Sequence, residues 1–496
     1  METWEPRFVF HGFRFVEVTG YPGEPKLDAI EGRVVHDDLR CAGDFECSNP
    51  LLNRLHRNIL WGVRGNYRSI PTDCPQRDER MGWLGDRSVV SRGESYLFDV
   101  AAFYEKWVTD IEDAQRETGS IPDVAPAYWT MYNDGVTWPS TFVLASSMLH
   151  DQYGDRRAIE RHYPAMKKWV EYMRGFIKDD ILPRNTYGDW CVPPESPALI
   201  HSKDPARRTD GALISTAYFH EMLRLMARHA RMLGREADRT EYEALAGRMR
   251  AAFVRKFFRP ERNQFDNGTQ TSSLLPLAFG LVPLERRGAV WNTLVAKIEK
   301  ESDRHIGVGL IGAQWLMRTL TEQGGADLAY AIATQKTYPG WGYMIGKGAT
   351  TIWELWNGDT ADPAMNSGNH VMQVGDLAVW MYEYLGGMRP EAERPGFQHA
   401  VVRPYPAGDL TFVKASHESM YGRIATHWRK TAGGFELDAT IPANTTATVY
   451  VPAADAARVS ESGRPAAGAP GVKFLRLEDG AAVYAVEPGS YRFVAR

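Results

Sequence analysis

Cysteine is scarce. Four residues in 496, at Cys41, Cys47, Cys74 and Cys191, are too few and too scattered for a disulfide framework. Cys41 and Cys47 have no further Cys or His at zinc-ligand spacing, so no metal is assigned. No run of 18 apolar residues exists, which argues against a bilayer-spanning helix and a membrane role. The start, METWEPRFVFHGF, lacks a basic stretch followed by an apolar one, so no secretory signal is read there and a reduced, cytoplasmic chain is expected. Neither sign of charge dominates: 58 basic against 62 acidic side chains give −4, with no nucleic-acid footprint. Hydrophobic residues at 44%, charged residues at 24% and a mean hydropathy of −0.39 exclude disorder and fibre.

Aromatic residues are plentiful: 15 Trp and 22 Tyr. Aromatics usually fill cores, but flat rings also stack on sugars, and position has to separate the two uses.

The periodicity divides the chain. Residues 1–47 read as β, with Phe8, Phe10, Phe13 and Phe15 in alternating stretches and a GYPGEP turn at 20–25. From Asn49 the pattern is helical. Asn49–Pro50 is a cap-and-first-turn pair, followed by Leu52, Leu55 and Ile59. Ile159, Tyr163, Met166, Val170 and Met173 step by four and three. Phe219 to Leu233 do the same and stop at Gly234. Helices follow one another to about residue 386 without interleaved strands, which suits helical hairpins closed into an (α/α) barrel over residues 48–392. From about 398 the period is two, as in Phe435, Leu437, Ala439 and Ile441. Residues 393–496 are therefore expected to form a β-sandwich.

Polar, aromatic and glycine-rich loops interrupt the helical period. They are 70–86, 123–138, YGDW at 187–190, GATTIWELWNGD at 348–359 and MNSGNH at 365–370. The first packs Asp73, Arg77, Asp78, Glu79, Arg80 and Asp86 around Trp83. The fourth sets Glu354 between Trp353 and Trp356. Acids beside tryptophans in two distant loops suit hydrolysis of a glycosidic bond, where one carboxyl protonates the leaving oxygen and another activates water or attacks C1. A solvated salt-bridge network is the competing reading. A general acid must stay protonated near neutrality, and a close Arg lowers a carboxyl pKa by roughly 1–3 units. Glu79 therefore serves as the acid only if Arg77 and Arg80 are engaged elsewhere, with Asp73, Asp78 and Asp86 as the expected partners.

DCPQRDERMGWLGD (73–86) closely resembles the signature of bacterial α-L-rhamnosidases of glycoside hydrolase family 78. HGFRFVEVTGYPGEP (11–25), TTIWELWNGD (350–359) and ANTTATVYVP (443–452) are similar to further stretches of that family. The resemblance implies a mainly α fold, an (α/α)6 barrel with β domains around it, and an inverting exo-α-L-rhamnosidase that needs no cofactor. It implies Glu79 as general acid and Glu354 as general base. It draws Asp73, Arg77, Trp83 and Asp86 into a rhamnose pocket, with Trp138 and Trp190 as further pocket aromatics. Asp189 is either a hydroxyl ligand or a turn residue. His370 sits where the family carries a histidine, and a structural hydrogen-bonding role competes for it. Two departures, Leu355 and Val371, are expected to alter the subsite beyond rhamnose. The family usually carries β domains upstream of the segment that begins here at Met1. A non-catalytic rhamnose-binding relative and a polysaccharide lyase on a similar barrel are the alternatives. The implied partner is a rhamnose-containing glycoside.

Overall fold

The first helix, Pro50–Gly65, begins where its cap requires. The Asn49 side chain accepts from Leu51 N–H at 2.9 Å, and Pro50 occupies the first turn. Such a cap stabilises by about 1 kcal/mol. Leu52, Leu55, Ile59 and Val63 are fully buried, each contributing roughly 1.5–3 kcal/mol. The same logic holds at Arg157–Arg174, where Ile159, Tyr163, Met166, Val170 and Met173 are all buried, and at Gly211–Met232, which ends just before the left-handed Gly234.

The structure, a computed structural model, describes residues 3–362 and 366–496. Met365, the first residue of the MNSGNH segment, lies outside the described residues, as do residues 1 and 2 of the N-terminal segment.

Six inner helical units form a closed ring. Ser91–Leu97 packs on Thr141–Tyr153, which packs on Gly211–Met232, then Gln270–Ala278. Gln270–Ala278 meets Leu310–Ala313 and Leu316–Glu322, and these touch Met372–Val374 and Trp380–Leu385. Leu377–Val379 returns to Ser91–Leu97 and closes the circle. Outer helices precede them in the chain: Pro50–Gly65, Ala101–Asp113, Arg157–Arg174, Glu236–Phe257, Arg287–Ala296 and Ala326–Ala333. This is the (α/α)6 barrel.

Behind it lie two sheets. The larger has the order Gly43–Cys47, Phe412–Ser419, Gly422–Thr431, Gly434–Ile441, Gly489–Ala495, Val459–Glu461 and Arg464–Pro465. The smaller runs Val472–Glu478, Ala481–Val486, Thr446–Pro452, His399–Val402, Met388–Pro390. Tyr484 of one stacks on Phe493 of the other, with ring centroids 5.5 Å apart. Phe435, Leu437, Ala439 and Ile441 all point inward, as their alternation predicts. Trp428 Nε1 donates to Leu385 O at 2.7 Å and joins the larger sheet to the last barrel turn.

The β character read across residues 1–47 is realised only at Gly43–Cys47, which pairs antiparallel with Phe412–Ser419. Residues 3–42 carry one 3₁₀ turn, Leu27–Ala29, and an isolated bridge at Cys41. Their alternating aromatics find no sheet: Phe8, Phe13 and Phe15 are exposed. Among the described residues, no helix is long and apolar enough to cross a membrane.

Candidate active site

The loop carrying Asp73 is closed by a reciprocal pair of bonds. Asp73 N–H donates to Met81 O at 2.9 Å, and Met81 N–H returns to Asp73 Oδ1 at 2.8 Å. Glu354 is anchored in the same manner. Its N–H donates to Ser367 O at 2.9 Å, and Ser367 N–H donates to Glu354 Oε2 at 2.7 Å. Each motif thus fixes a carboxylate by folding its loop back on the side chain.

The two loops meet at Arg77. Its guanidinium lies 2.6 Å from Glu79 Oε2 through Nη2, 3.0 Å from Glu354 Oε2 through Nη1 and 3.8 Å from Asp73 Oδ2. Residues 275 positions apart in sequence (354 − 79) thereby face each other across one cation. Gln76 Oε1 accepts from Ser367 Oγ at 2.8 Å, and Asn66 Nδ2 donates to Asn369 Oδ1 at 3.1 Å. These bonds seam the loops together at one mouth of the barrel.

The requirement that Arg77 be engaged away from Glu79 is not met. Arg77 bonds Glu79 directly, and it is Arg80 that turns away, donating to Phe10 O at 2.8 Å. Glu79 is nevertheless held above its ordinary pKa. Burial is the main cause, and the Asp73 and Glu354 charges add to it; they outweigh Arg77 and His370. Asp86 is fully buried and pushed up to about 7, by burial first and then by Asp73, Glu79 and Glu354, against the pull of His370. Burial alone would raise Asp73 as well, but its bonds to His370, Cys74 and Met81 bring it below the usual value.

His370 links these acids. Its Nε2 lies 3.5 Å from Asp73 Oδ2 and 3.6 Å from Asp86 Oδ1. Burial disfavours its charge, yet Glu354, Asp73 and Asp86 raise it to about 9. Met372 N–H points at Nδ1 at 3.3 Å, which favours the neutral ring. The carboxylates around Nε2 favour a proton on that nitrogen. Asp73, Cys74 and Glu79 cluster closely enough to suggest a cation site. The positive charge there is already supplied by Arg77.

The tryptophans separate. Trp83 is half-buried, edge-on to Trp129 and Tyr187 at 6.3 and 6.2 Å. Trp190 is also half-buried, beside His201 at 4.9 Å. Both can present ring surface. Trp138 is buried, packed on Tyr187 at 4.2 Å and filling the space beside Gly85, where a Cβ would lie 2.3 Å from its ring. Trp356 is likewise core, packed on Trp341. Leu355 and Val371 are buried too.

Asp189 is a brace, not a free ligand. Its carboxylate accepts from Thr271 Oγ1, from Gly309 N–H at 2.9 Å and from Gly312 N–H at 3.0 Å. It ties the 187–190 loop to the start of the Leu310–Ala313 helix. Asp189→Ala strands those donors in the interior, at roughly 1–3 kcal/mol for each that stays unpaired. Thermal unfolding is therefore expected at a clearly lower midpoint, with KM of the folded enzyme unchanged. A raised KM with the midpoint intact would make Asp189 a ligand instead.

Several neighbours were not singled out from sequence. Asp123 accepts from Tyr187 OH at 2.8 Å and Asn133 Nδ2 at 2.6 Å, and burial raises it to about 6. Tyr128 and Trp129 stand exposed on the same loop. Asp123 lies in one of the loops that break the helical period, but nothing local distinguishes it; its partner Tyr187 is 64 residues away.

A closed ring of helical hairpins with carboxylates brought from two loops to one mouth defines the six-hairpin glycosidases. The profile of the bacterial α-L-rhamnosidase six-hairpin glycosidase domain matches residues 40–385, that of the C-terminal domain residues 387–465, and that of the concanavalin-like domain residues 1–36. The chain belongs to the bacterial α-L-rhamnosidase family. It is 39% identical to an α-L-rhamnosidase of Streptomyces avermitilis over 99% of this chain and 46% of the relative, and 34% identical to one of Formosa agariphila over 99% and 53%. The crystal structure of the Streptomyces avermitilis enzyme complexed with L-rhamnose superposes with a TM-score of 0.91, covering 99% of this chain and 46% of that one. The α-L-rhamnosidase from Dictyoglumus thermophilum, 38% identical, gives 0.92 over 99% and 54%. The chain thus spans about half the length of the relatives it matches.

Proposed function

We propose that this chain hydrolyses terminal α-L-rhamnosyl residues from glycosides with inversion at C1. The observation that carries the reading is the meeting of Glu79 and Glu354 on Arg77, in a chain similar throughout to proteins named α-L-rhamnosidase. Glu79 holds the proton. Burial among other carboxylates keeps it protonated to higher pH than a free glutamate, which suits a donor to the departing glycosidic oxygen. Glu354 is the base. Two Arg77 contacts and the Ser367 N–H fix the direction of its carboxylate.

Glu354 takes a proton from a water whose oxygen bonds to C1 while the C1–O bond to the leaving group breaks. Glu79 gives its proton to that oxygen, releasing an alcohol and rhamnose of opposite anomeric configuration. Inverting sites hold their carboxyl groups about 6.5–9.5 Å apart, with room for the water. Here Glu79 Oε2 and Glu354 Oε1 lie 2.6 and 3.3 Å from the same Arg77 Nη2, closer than that. Inversion therefore rests on the likeness to the family and not on this spacing. Asp73, Asp86 and His370 form the polar floor, and Trp83 and Trp190 offer ring faces to a sugar. Four free thiols support a reducing, cytoplasmic setting.

Proton NMR of early product from an aryl α-L-rhamnoside tests this. The first anomer to accumulate should be the β form. Accumulation of the α form would remove Glu354 from its role, and no turnover of any rhamnoside would leave a binding protein.

A further inference from the structure

The mostly exposed N-terminal segment makes a tight contact with the loop that carries Glu79. Arg80 Nη1 donates to Phe10 O, and the Arg80 guanidinium lies 4.8 Å from the centre of the Phe10 ring. Arg68 covers the same ring at 4.1 Å. Two residues on, the backbone runs against the loop so closely that a Cβ on Gly12 would lie 2.6 Å from Gln76 Cβ. The loop backbone is shaped to this contact. Arg80 takes a left-handed φ of 43°, a conformation that costs a non-glycine residue of order 1–3 kcal/mol unless its surroundings impose it.

The contact touches both ends of the site. Gln76, beneath Gly12, accepts from Ser367 Oγ, and Ser367 N–H holds Glu354 Oε2. On the other side, Arg80 is the residue next to Glu79. The charges facing Glu79 are Arg77, Asp73, His370, Glu354 and Asp86, with the Cys74 thiol close by. A second guanidinium among them would tip that balance.

We propose that residues 8–13 form a strap that parks Arg80 on Phe10, keeping its guanidinium off Glu79 so that Glu79 can act as proton donor. The proposal builds on the assignment of Glu79 as general acid. Phe10 and Gly12 are positioning residues; they touch neither substrate nor reacting atoms.

The test uses the full chain carrying Phe10→Ala and Gly12→Leu, which removes the ring and forces the backbone away from Gln76. An Arg freed beside a carboxyl lowers its pKa by roughly 1–3 units, and at a site that keeps some contact with solvent the lower end applies. The basic limb of the kcat/KM profile should move down by about one pH unit, a loss of about tenfold above the limb. Adding Arg80→Met should return the limb to its original pH. Phe10→Ala alone, which leaves the backbone contact in place, should give a smaller shift of the same sign. A uniform fall in rate with the limb unmoved overturns the strap, as does a shift that survives Arg80→Met. If Glu79→Gln itself keeps the basic limb, it is the acid assignment that fails, and the two failures are thereby told apart.

Discussion

Glu79→Gln should lower kcat/KM for a rhamnoside with a poor leaving group by about 10²–10⁴-fold, the usual contribution of a positioned general acid. A dinitrophenyl rhamnoside should lose far less, because its leaving group departs without a proton. Glutamine keeps the shape and can still meet the Arg77 Nη2 that lies 2.6 Å from Glu79 Oε2. The substitution exchanges a protonated carboxyl for a neutral amide and so adds no charge to a site where Asp73 and Glu354 already disfavour ionisation of Asp86. Folding should therefore survive, which circular dichroism and the unfolding midpoint will show. Equal losses on both leaving groups would contradict proton donation by Glu79.

Glu354→Gln should cost a similar factor of about 10²–10⁴, but on both leaving groups alike, since attack by water is needed in either case. The amide oxygen can still accept from Ser367 N–H, so the 366–370 segment should keep its place beside Glu354. The Arg77 guanidinium loses one carboxylate and keeps Glu79 and Asp73. Binding of rhamnose should then be retained while turnover is lost. Loss confined to the poor leaving group would exchange the roles assigned to the two glutamates.

The helical hairpins and the sandwich are legible in the sequence because their signals are local. A cap at Asn49, an apolar stripe through Val63 and the alternation at 435–441 each act over a few residues. The site is only partly legible. Motif resemblance marks Glu79, Glu354, Asp73 and Arg77, and the structure brings all four together. Partnership is another matter. Arg77 and Arg80 lie three positions apart with the same charge, and the choice between Glu79 and Phe10 is made by chain some 70 residues upstream. The surroundings of Trp138 and Asp189 are illegible for a related reason. A tryptophan or an acid in a loop reads the same whether it faces solvent or fills space under the loop, and Tyr187, Thr271 and Gly309 decide that from elsewhere in the chain. The N-terminal aromatics alternate as a strand would, but a strand needs a neighbour.

The pairing of Gly43–Cys47 with Phe412–Ser419 has a consequence for synthesis. Phe45 pairs with Ala415, about 370 residues later, so on a ribosome adding about 5–20 residues per second the strand spends roughly 20–75 s without its partner. Through that interval the first barrel helix can form while the strand before it stays open-edged, a template for any passing β segment. Its brevity, five residues with Asp44 and Glu46 on the outward face, is the protection the nascent chain has.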